Sequence, residues 1–453
     1  VRSRRQRQMC IRDRLKRKEG RNKMLKENNK QTSRQFHISI DPGFDSFKVI
    51  INGMYFKIPR DVLRVDLDSN KILTDSVTDN YICYTNKLSA YYVGSYARML
   101  SHSINKSTTN SIIYDEKYTS VDYFMSKEFT IGLEAVVGYA IYRYLKEVDE
   151  VDFQTETDNF SKAMDLDVRN YEIILSLAFP HKYQEEYGEK IRKEFAKQHT
   201  FSLEVGTNKT MLDIKFTIDP ANTFDISQTI ASIMGQMVDN SGNTKNISEL
   251  LPTIVLDGGY LTFGIVAVNE MLMVNSDFDE SNLEFTMNSI NKKVGEEIAA
   301  KTGRTDIKDY GVDEKILKDS TIKYIDSETG KAATFDIKAC KEEIIKDTFN
   351  NLKLYINQKF NHLLDIKTVH IAGGTGVTFA DMLKDEYVKN TAVLSEDSII
   401  LTQGSKYDKD ADTHTTDKKD NTITVGYLEN DNYSATFGVV VGTYRAVEAS
   451  LNV

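Results

Sequence analysis

The sequence predicts an α/β protein made of two related halves with a binding cleft between them. Three stretches carry that expectation. The first, HISIDPGFDSFKVIINGMYFKIP from His37 to Pro59, reads as strand, glycine turn, strand, Asn-Gly turn and strand. β-Branched residues favour the pleated backbone, and Asn52-Gly53 between two apolar runs tolerates the positive φ of a tight hairpin. The second stretch repeats the first: SIDPGFDSFKVII aligns with VLDGGYLTFGIVA, so that Asp41 matches Asp257, Gly43 matches Gly259, Phe44 matches Tyr260, Ser46 matches Thr262 and Phe47 matches Phe263. The third, TVHIAGGTGVTFADML at Thr368–Leu383, is a buried strand that ends in Gly373-Gly374-Thr375-Gly376 and passes into a helix.

The first glycine turn carries the chemistry. Asp41 sits where its strand ends, Gly43 lets the backbone bend with its N–H groups exposed, and Lys48 follows on the next strand. Amides beside a carboxylate and an ammonium suit a phosphate-bound metal ion. One Asp-x-Gly alone is usually only a turn; two copies half a chain apart point to a duplicated domain.

The remaining elements follow in order. Arg60–Asn80 is polar and irregular, and Tyr81–Leu100 returns to strands and opens a helix. Phe124–Leu145 is apolar at helical spacing, which predicts a core helix. Asp149–Asp167 is an acidic loop. Tyr171–Phe179, YEIILSLAF, is a continuous apolar run of strand length, hence a central buried strand ended by Pro180. A charged helix is expected over His181–Gln198, strands over Phe201–Ile218, and a helix over Asp225–Val238 that carries Gln228 and Gln236. Asn240–Asn246 is a polar linker. Leu272–Val274 supplies the third strand of the second hairpin. Helices at Asn282–Thr302 and Lys341–Leu364 flank a small β segment near Thr321–Ile337. In the third stretch Thr378 and Asp381 are spaced as a capping box. Gly404–Thr422 is a polar loop, and Ser434–Ala449 reads as a buried strand or turn holding Gly438 and Gly442, followed by a terminal helix.

Composition bounds the function classes. The net charge of −9 combines about +11 in residues 1–35 with about −20 on the rest, which argues against a nucleic-acid face on the body. The basic arm has no periodicity and lacks an initiating Met; Met24 is a plausible start, and the arm is expected to be non-native or disordered. No apolar run reaches the roughly 20 residues of a membrane span. Cys10, Cys83 and Cys340 give neither a disulfide framework nor a zinc spacing, which fits a reducing cytoplasm. The histidines are scattered, and no Ser/His/Asp or Cys/His set can be assembled from spacing.

Taken together, the order of motifs resembles the actin-like ATPases, over roughly residues 36–453, and within them the bacterial plasmid-segregation actins of the ParM type. IDPGFDSFK is similar to their phosphate-1 loop, LDGGYLTFG to phosphate 2, IAGGTGVTFADML to the adenosine motif, and ISQTIASIMGQ and ATFGVVVGTYRA to the two connecting helices. The resemblance implies two ribonuclease-H-like domains, domain I at 36–240 plus 428–453 and domain II at 250–427, with ATP and Mg²⁺ between them. Asp41 and Asp257 would hold the Mg²⁺ through water. Backbone at Gly43, Phe44, Asp45 and Ser46, and at Gly258, Gly259, Tyr260, Leu261 and Thr262, would cradle phosphates, with Lys48 as counter-charge. Gly373, Gly374, Thr375 and Gly376 would face adenosine and ribose. Gln228 would orient the attacking water.

Two departures stand out: Phe44 replaces a small hydroxyl residue, and Gly264 stands where phosphate 2 commonly has a second Asp. The implied function is an ATPase that polymerises into cytoplasmic filaments and moves plasmid DNA through a DNA-bound adaptor protein. The rivals are a small-molecule kinase of the same superfamily, for which no acceptor-positioning Asp is found, and a non-polymerising scaffold, for which YRAVEASLNV makes a poor membrane-targeting helix.

Overall fold

The computed structural model describes residues 35–43, 46–64, 81–86, 89–100, 121–149, 151, 164–238, 247–307, 309–401, 426–427 and 437–451. The basic arm up to residue 34, Phe44, Asp45, the 240–246 linker and the 404–422 loop lie outside the described residues.

In chain order the first strands are β1 Gln35–Pro42, β2 Ser46–Ile51, β3 Met54–Pro59, β4 Val62–Arg64, β5 Ile82–Asn86 and β6 Ser89–Val93. There follow β7 Met164–Asp167, β8 Glu172–Phe179, β9 Gln198–Val205, β10 Thr210–Thr217 and β11 Thr223–Ser227. The second half contributes β12 Thr253–Gly258, β13 Phe263–Val268, β14 Val274–Asn282, β15 Thr321–Ile325, β16 Ala332–Asp336, β17 Thr368–Ala372, β18 Ile399–Leu401 and β19 Gly426–Tyr427.

The predicted duplication is present in the sheets. One sheet runs β11-β8-β1-β2-β3-β19 and another β14-β13-β12-β17-β18. In each, a hairpin strand is antiparallel to its successor and parallel to a later strand: β1 pairs β2 and β8, and β12 pairs β13 and β17. A further parallel strand, β11 or β18, closes the series. The registers match as well, with Asp41 opposite Lys48 and Asp257 opposite Gly264. Asn52 and Gly53 take φ of 45° and 86° at the first hairpin's far end, the two positive values that fit a type I′ turn. The predicted central strand β8 lies between β1 and β11 and is buried along nearly its whole length.

Parallel strands buried on both faces need helices to cover them. The Lys127–Glu147 helix is capped by Ser126, whose hydroxyl accepts from the Phe129 N–H at 3.1 Å. It is buried on most sides, in one core between the first sheet and the β4-β6-β5-β9-β10-β7 sheet. Helices Met287–Thr302, Ile337–Lys359 and Gly373–Lys384 build the second core over β12, β13 and β17. Between the two hairpin sheets run the Gln228–Met237 helix and the terminal Gly438–Leu451 helix. The former sends Ile233 and Met237 against Val255 and Val268 of the second sheet, while the latter packs Val440 and Val441 on Ile50 of the first.

Several expectations are corrected. The helix expected from Asp225 starts at Gln228, because Thr223–Ser227 pairs with β8 as a strand. Ser434–Ala449 holds no strand among its described residues: from Gly438 it is helix, and Gly442 is where that helix touches its neighbour. Thr378 and Asp381 form no cap, since the helix already begins at Gly373 and the Thr378 hydroxyl donates to the Gly374 carbonyl within it. The third strand of the second hairpin begins at Val274, Leu272 being in a turn with positive φ. Helix Asp309–Lys318 had no expectation.

One polar set that spacing did not reveal is assembled by the fold. The Ser39 hydroxyl lies 3.3 Å from His37 Nε2 and 2.6 Å from the Ser176 hydroxyl, and His37 Nδ1 is 2.7 Å from Glu448. Ser39 and Ser176 are sealed from solvent, so this chain ties the terminal helix to β1 and β8 and offers no nucleophile to a substrate.

The crossing of the two inner helices is set by glycine. A Cβ on Gly442 would lie 1.6 Å from the Ala231 carbonyl oxygen, a backbone atom that cannot swing aside. Gly442→Ala is therefore expected to force the helices apart and destabilise the protein by about 2–3 kcal/mol, read by urea unfolding. Gly311→Ala, at a helix position where a Cβ meets nothing, should be neutral or stabilising by up to about 1 kcal/mol.

Candidate functional site

Five strand ends converge on one place. Asp41 closes β1, Pro180 follows β8, Gln228 follows β11, Asp257 and Gly258 close β12, and Gly373 follows β17. These strands are mutually parallel within each sheet, and ligands of such sheets lie beyond their carboxyl ends. A cleft of about 440 Å³ opens there, lined from the first half by Asp41, Gly43, Ser46, Lys48 and Gln228 and from the second by Asp257, Gly259, Tyr260, Thr262, Gly373, Gly374 and Thr375.

Asp41 is 1% exposed, and a buried carboxylate needs partners. It has two. Lys48, directly opposite in the hairpin register, approaches one oxygen at 2.7 Å, and the Gln228 amide donates to the other at 2.8 Å. Gln228 reaches it because the chain turns from β11 into helix at that residue, so its side chain projects from the first helical turn into the cleft. Gln236, two turns on, instead points its amide at the Leu401 carbonyl at 3.5 Å and does not line the cleft.

Asp257 is in a different condition. Burial pushes its carboxyl up to about 6, the Asp41 charge adds to the rise, and Lys48 opposes it. The residue keeps part of its surface on the cleft, so its desolvation is that of a wall and not of a sealed core. Asp41 is answered by Lys48, whereas Asp257 has no hydrogen bond or ion pair among the described residues and stands beside a second carboxylate. Among the described residues no group of three His, Cys, Asp or Glu could enclose a metal ion. The donor set fits an ion held by one or two carboxylates that keeps water and takes its other oxygens from a ligand's phosphates, as Mg²⁺ does.

The second hairpin and the glycine turn are locked together by their backbones. The Gly259 N–H donates to the Thr262 carbonyl at 2.8 Å, closing the hairpin turn, and the Thr375 hydroxyl donates to the Gly259 carbonyl at 2.8 Å. A Cβ on Gly258 would lie 2.1 Å from the Gly376 nitrogen, and one on Gly373, at φ +72°, 2.4 Å from the Gly258 oxygen. Of the residues expected to touch nucleotide, Gly258, Leu261 and Gly376 do not line the cleft; the first and last are taken up by this contact. Phe44 and Asp45 lie outside the described residues.

The cleft also has lining residues that sequence reasoning passed over: Lys57, Phe124, His181, Thr229 and Met287. Lys57 was within reach, because the Asn-Gly turn sets a register that puts it opposite Lys48. His181 follows the buried strand and its proline. Met287 begins the helix whose Asn288 N–H donates to the Tyr260 carbonyl at 2.9 Å, and no local pattern marks it.

The Asp257 environment has a measurable consequence. With its folded-state value at about 6 and its ordinary value near 3.8, the folded chain binds this proton more tightly than the unfolded chain. Ligand-free stability should thus fall as pH rises from about 4 to about 6 and then level off, by on the order of 1–3 kcal/mol. Asp257→Asn should remove that segment of the pH profile and stabilise the ligand-free protein at neutral pH, as read by urea unfolding without divalent cations. Destabilisation by Asn at neutral pH would contradict the assignment.

No protein-family model matches the sequence. No curated protein matches it either. Solved structures do. Actin-like protein Alp7A is 14% identical with a TM-score of 0.57, over 92% of this chain and 97% of its own. The ParM of a 15-stranded filament from Clostridium botulinum is 15% identical at 0.55, over 92% and 99%. An archaeal actin homologue in complex with ADP is 15% identical at 0.52, over 91% and 99%. The agreement extends over more than nine-tenths of the chain, and it establishes the architecture: this chain has the actin-like fold.

Proposed function

We propose that the chain binds ATP with Mg²⁺ in the cleft, hydrolyses it, and uses the cycle to assemble and disassemble a filament. The observation that carries the reading is the convergence of two copies of one glycine hairpin, each ending a strand in Asp, on a cleft where Gln228 already touches the first Asp. The ADP complex and the filament among proteins of the same fold support it.

In this reading the domains are 36–240 plus 428–453 and 250–427, and the nucleotide bridges them. Asp41 and Asp257 would hold Mg²⁺ through water, and that ion would supply charge neutralisation to the phosphates. Backbone around Gly43 and Ser46 and the amides from Tyr260 to Thr262 would donate to phosphate oxygens, the Gly259 N–H being already given to the Thr262 carbonyl, and Lys48 would add a positive charge. Gly374, where a Cβ would meet nothing, leaves open backbone for a ribose and base. Gln228 is neutral, so it serves as no strong base; it holds a water in line with the terminal phosphate. Its hydrogen bond to Asp41 keeps the amide in the cleft before ligand arrives. Self-assembly, a DNA-bound adaptor of a plasmid partition system and a cytoplasmic setting complete the proposal. Among the described residues no helix is long and apolar enough to cross a membrane.

Light scattering with negative-stain microscopy after addition of Mg-ATP tests assembly: filaments should form with Mg-ATP and not in the presence of a chelator. Asp257→Ala should abolish hydrolysis. Gln228→Ala should bind ATP normally and assemble, yet release phosphate about ten- to a hundredfold more slowly, a loss of roughly 1.4–2.8 kcal/mol in transition-state stabilisation. Its filaments should persist. Gln236→Ala should hydrolyse at the wild-type rate; slowing in that variant alone would place the water-holding residue two turns along the helix.

A further inference from the structure

We propose that Lys57 is a second phosphate-contacting cation of the cleft, the one that distinguishes a nucleoside triphosphate from a diphosphate. This rests on the nucleotide reading above and assigns a residue that reading leaves out. Asp41 pairs with Lys48 across β1 and β2, and Lys48 pairs with Lys57 across β2 and β3. Directly opposite residues on antiparallel strands point to the same face with Cβ atoms about 5 Å apart, so the three side chains stand in one row. That face is the one turned to the cleft, because the alternate residues Phe47, Val49, Phe56 and Ile58 enter the hydrophobic core on the other side. Lys57 itself lines the cleft and is half-buried.

The two lysines differ in what they already hold. Lys48 is committed to Asp41 at 2.7 Å. Lys57 makes no ion pair, hydrogen bond or ring contact among the described residues, so its ammonium on the cleft wall has no counter-charge there. A surface lysine in water needs none; one on the wall of a cleft gains from an anion that enters it. Its four-carbon stem lets the charge follow a mobile group. A divalent cation would answer the two carboxylates, and Lys48 answers the phosphates nearest Asp41. The terminal phosphate of a triphosphate adds negative charge that a diphosphate lacks, and Lys57 is the cation of the row with nothing yet to neutralise.

The test is calorimetric titration of the full chain with Mg-ADP and with a non-hydrolysable Mg-ATP analogue, for wild type, Lys57→Met, Lys57→Gln and Lys57→Arg. The neutral variants should lose about five- to twentyfold in triphosphate affinity, the range of one charge-assisted contact, and less than about twofold for diphosphate. Lys57→Arg should keep most of the triphosphate preference. Two neutral substitutions at a half-exposed strand position guard against one that fails to fold. If wild type binds both ligands and the neutral variants keep its triphosphate-to-diphosphate ratio, or lose both affinities equally, Lys57 does not read the terminal phosphate and the cleft assignment stands without it. If wild type binds neither ligand, the nucleotide reading falls and this inference with it.

Discussion

Two carboxylates held in one partly dry cleft are the constraint around which the rest of the structure is arranged. Each is placed by the end of a central strand, so neither can withdraw without dismantling a sheet. Asp41 is quieted by Lys48 and by the Gln228 amide. No lysine stands opposite Asp257, whose register partner is Gly264; burial pushes its carboxyl up to about 6, and the Asp41 charge adds to the rise. The duplication is thus symmetric in backbone and asymmetric in charge. That asymmetry turns a structural repeat into a binding site: the unanswered charge of the second half faces the ammonium groups of the first, and a cation with phosphates satisfies both.

Holding those charges in place is the work of glycine and of two helices. At Gly258, Gly373 and Gly376 the backbones of the second hairpin and the strand-to-helix turn touch directly, so the two segments that approach the ligand from one side behave as a unit. The Gln228–Met237 helix does the same between the sheets. Its first residue touches Asp41, its middle meets Gly442 of the terminal helix, and its apolar face lies on β12 and β13. A change at Asp41 is in this way connected through one helix to the packing of the other half. The buried Ser39, His37 and Glu448 contacts anchor the terminal helix to the strand that ends in Asp41, which gives the first carboxylate a second mechanical link.

Much of this could be read in the sequence, for physical reasons that differ by element. The hairpins were legible because Asn52-Gly53 and the Asp-x-Gly turns constrain local backbone, and β8 was legible because a strand covered on both faces is apolar throughout. The shared order of the two sheets, hairpin first and later parallel strands beside it, is visible only in the strand pairings. What failed was local choice decided by distant contact. Gly438 and Gly442 looked like strand or turn residues because glycine is poor in helices, and only the neighbouring helix at Ala231 explains one there. The helix start at Gln228 depends on β11 pairing with β8, which no local signal announces. Gly258 and Gly376, expected at the ligand, are also where two backbones meet, which no local pattern announces. Lys57 and Met287 were missed for opposite reasons: the first needed the hairpin register carried one strand further, the second has no pattern at all.

Hydrogen exchange on the full chain, compared with and without Mg-ADP, tests the central claim most directly, because it asks whether both hairpins answer to one ligand. The account requires slowed exchange at the turn between β1 and β2, at Gly259–Thr262 between β12 and β13, and at Gly373–Thr375, all at the same ligand concentration and all lost with a chelator. Slowing confined to one half of the chain, or slowing elsewhere while these three turns exchange as before, would contradict it.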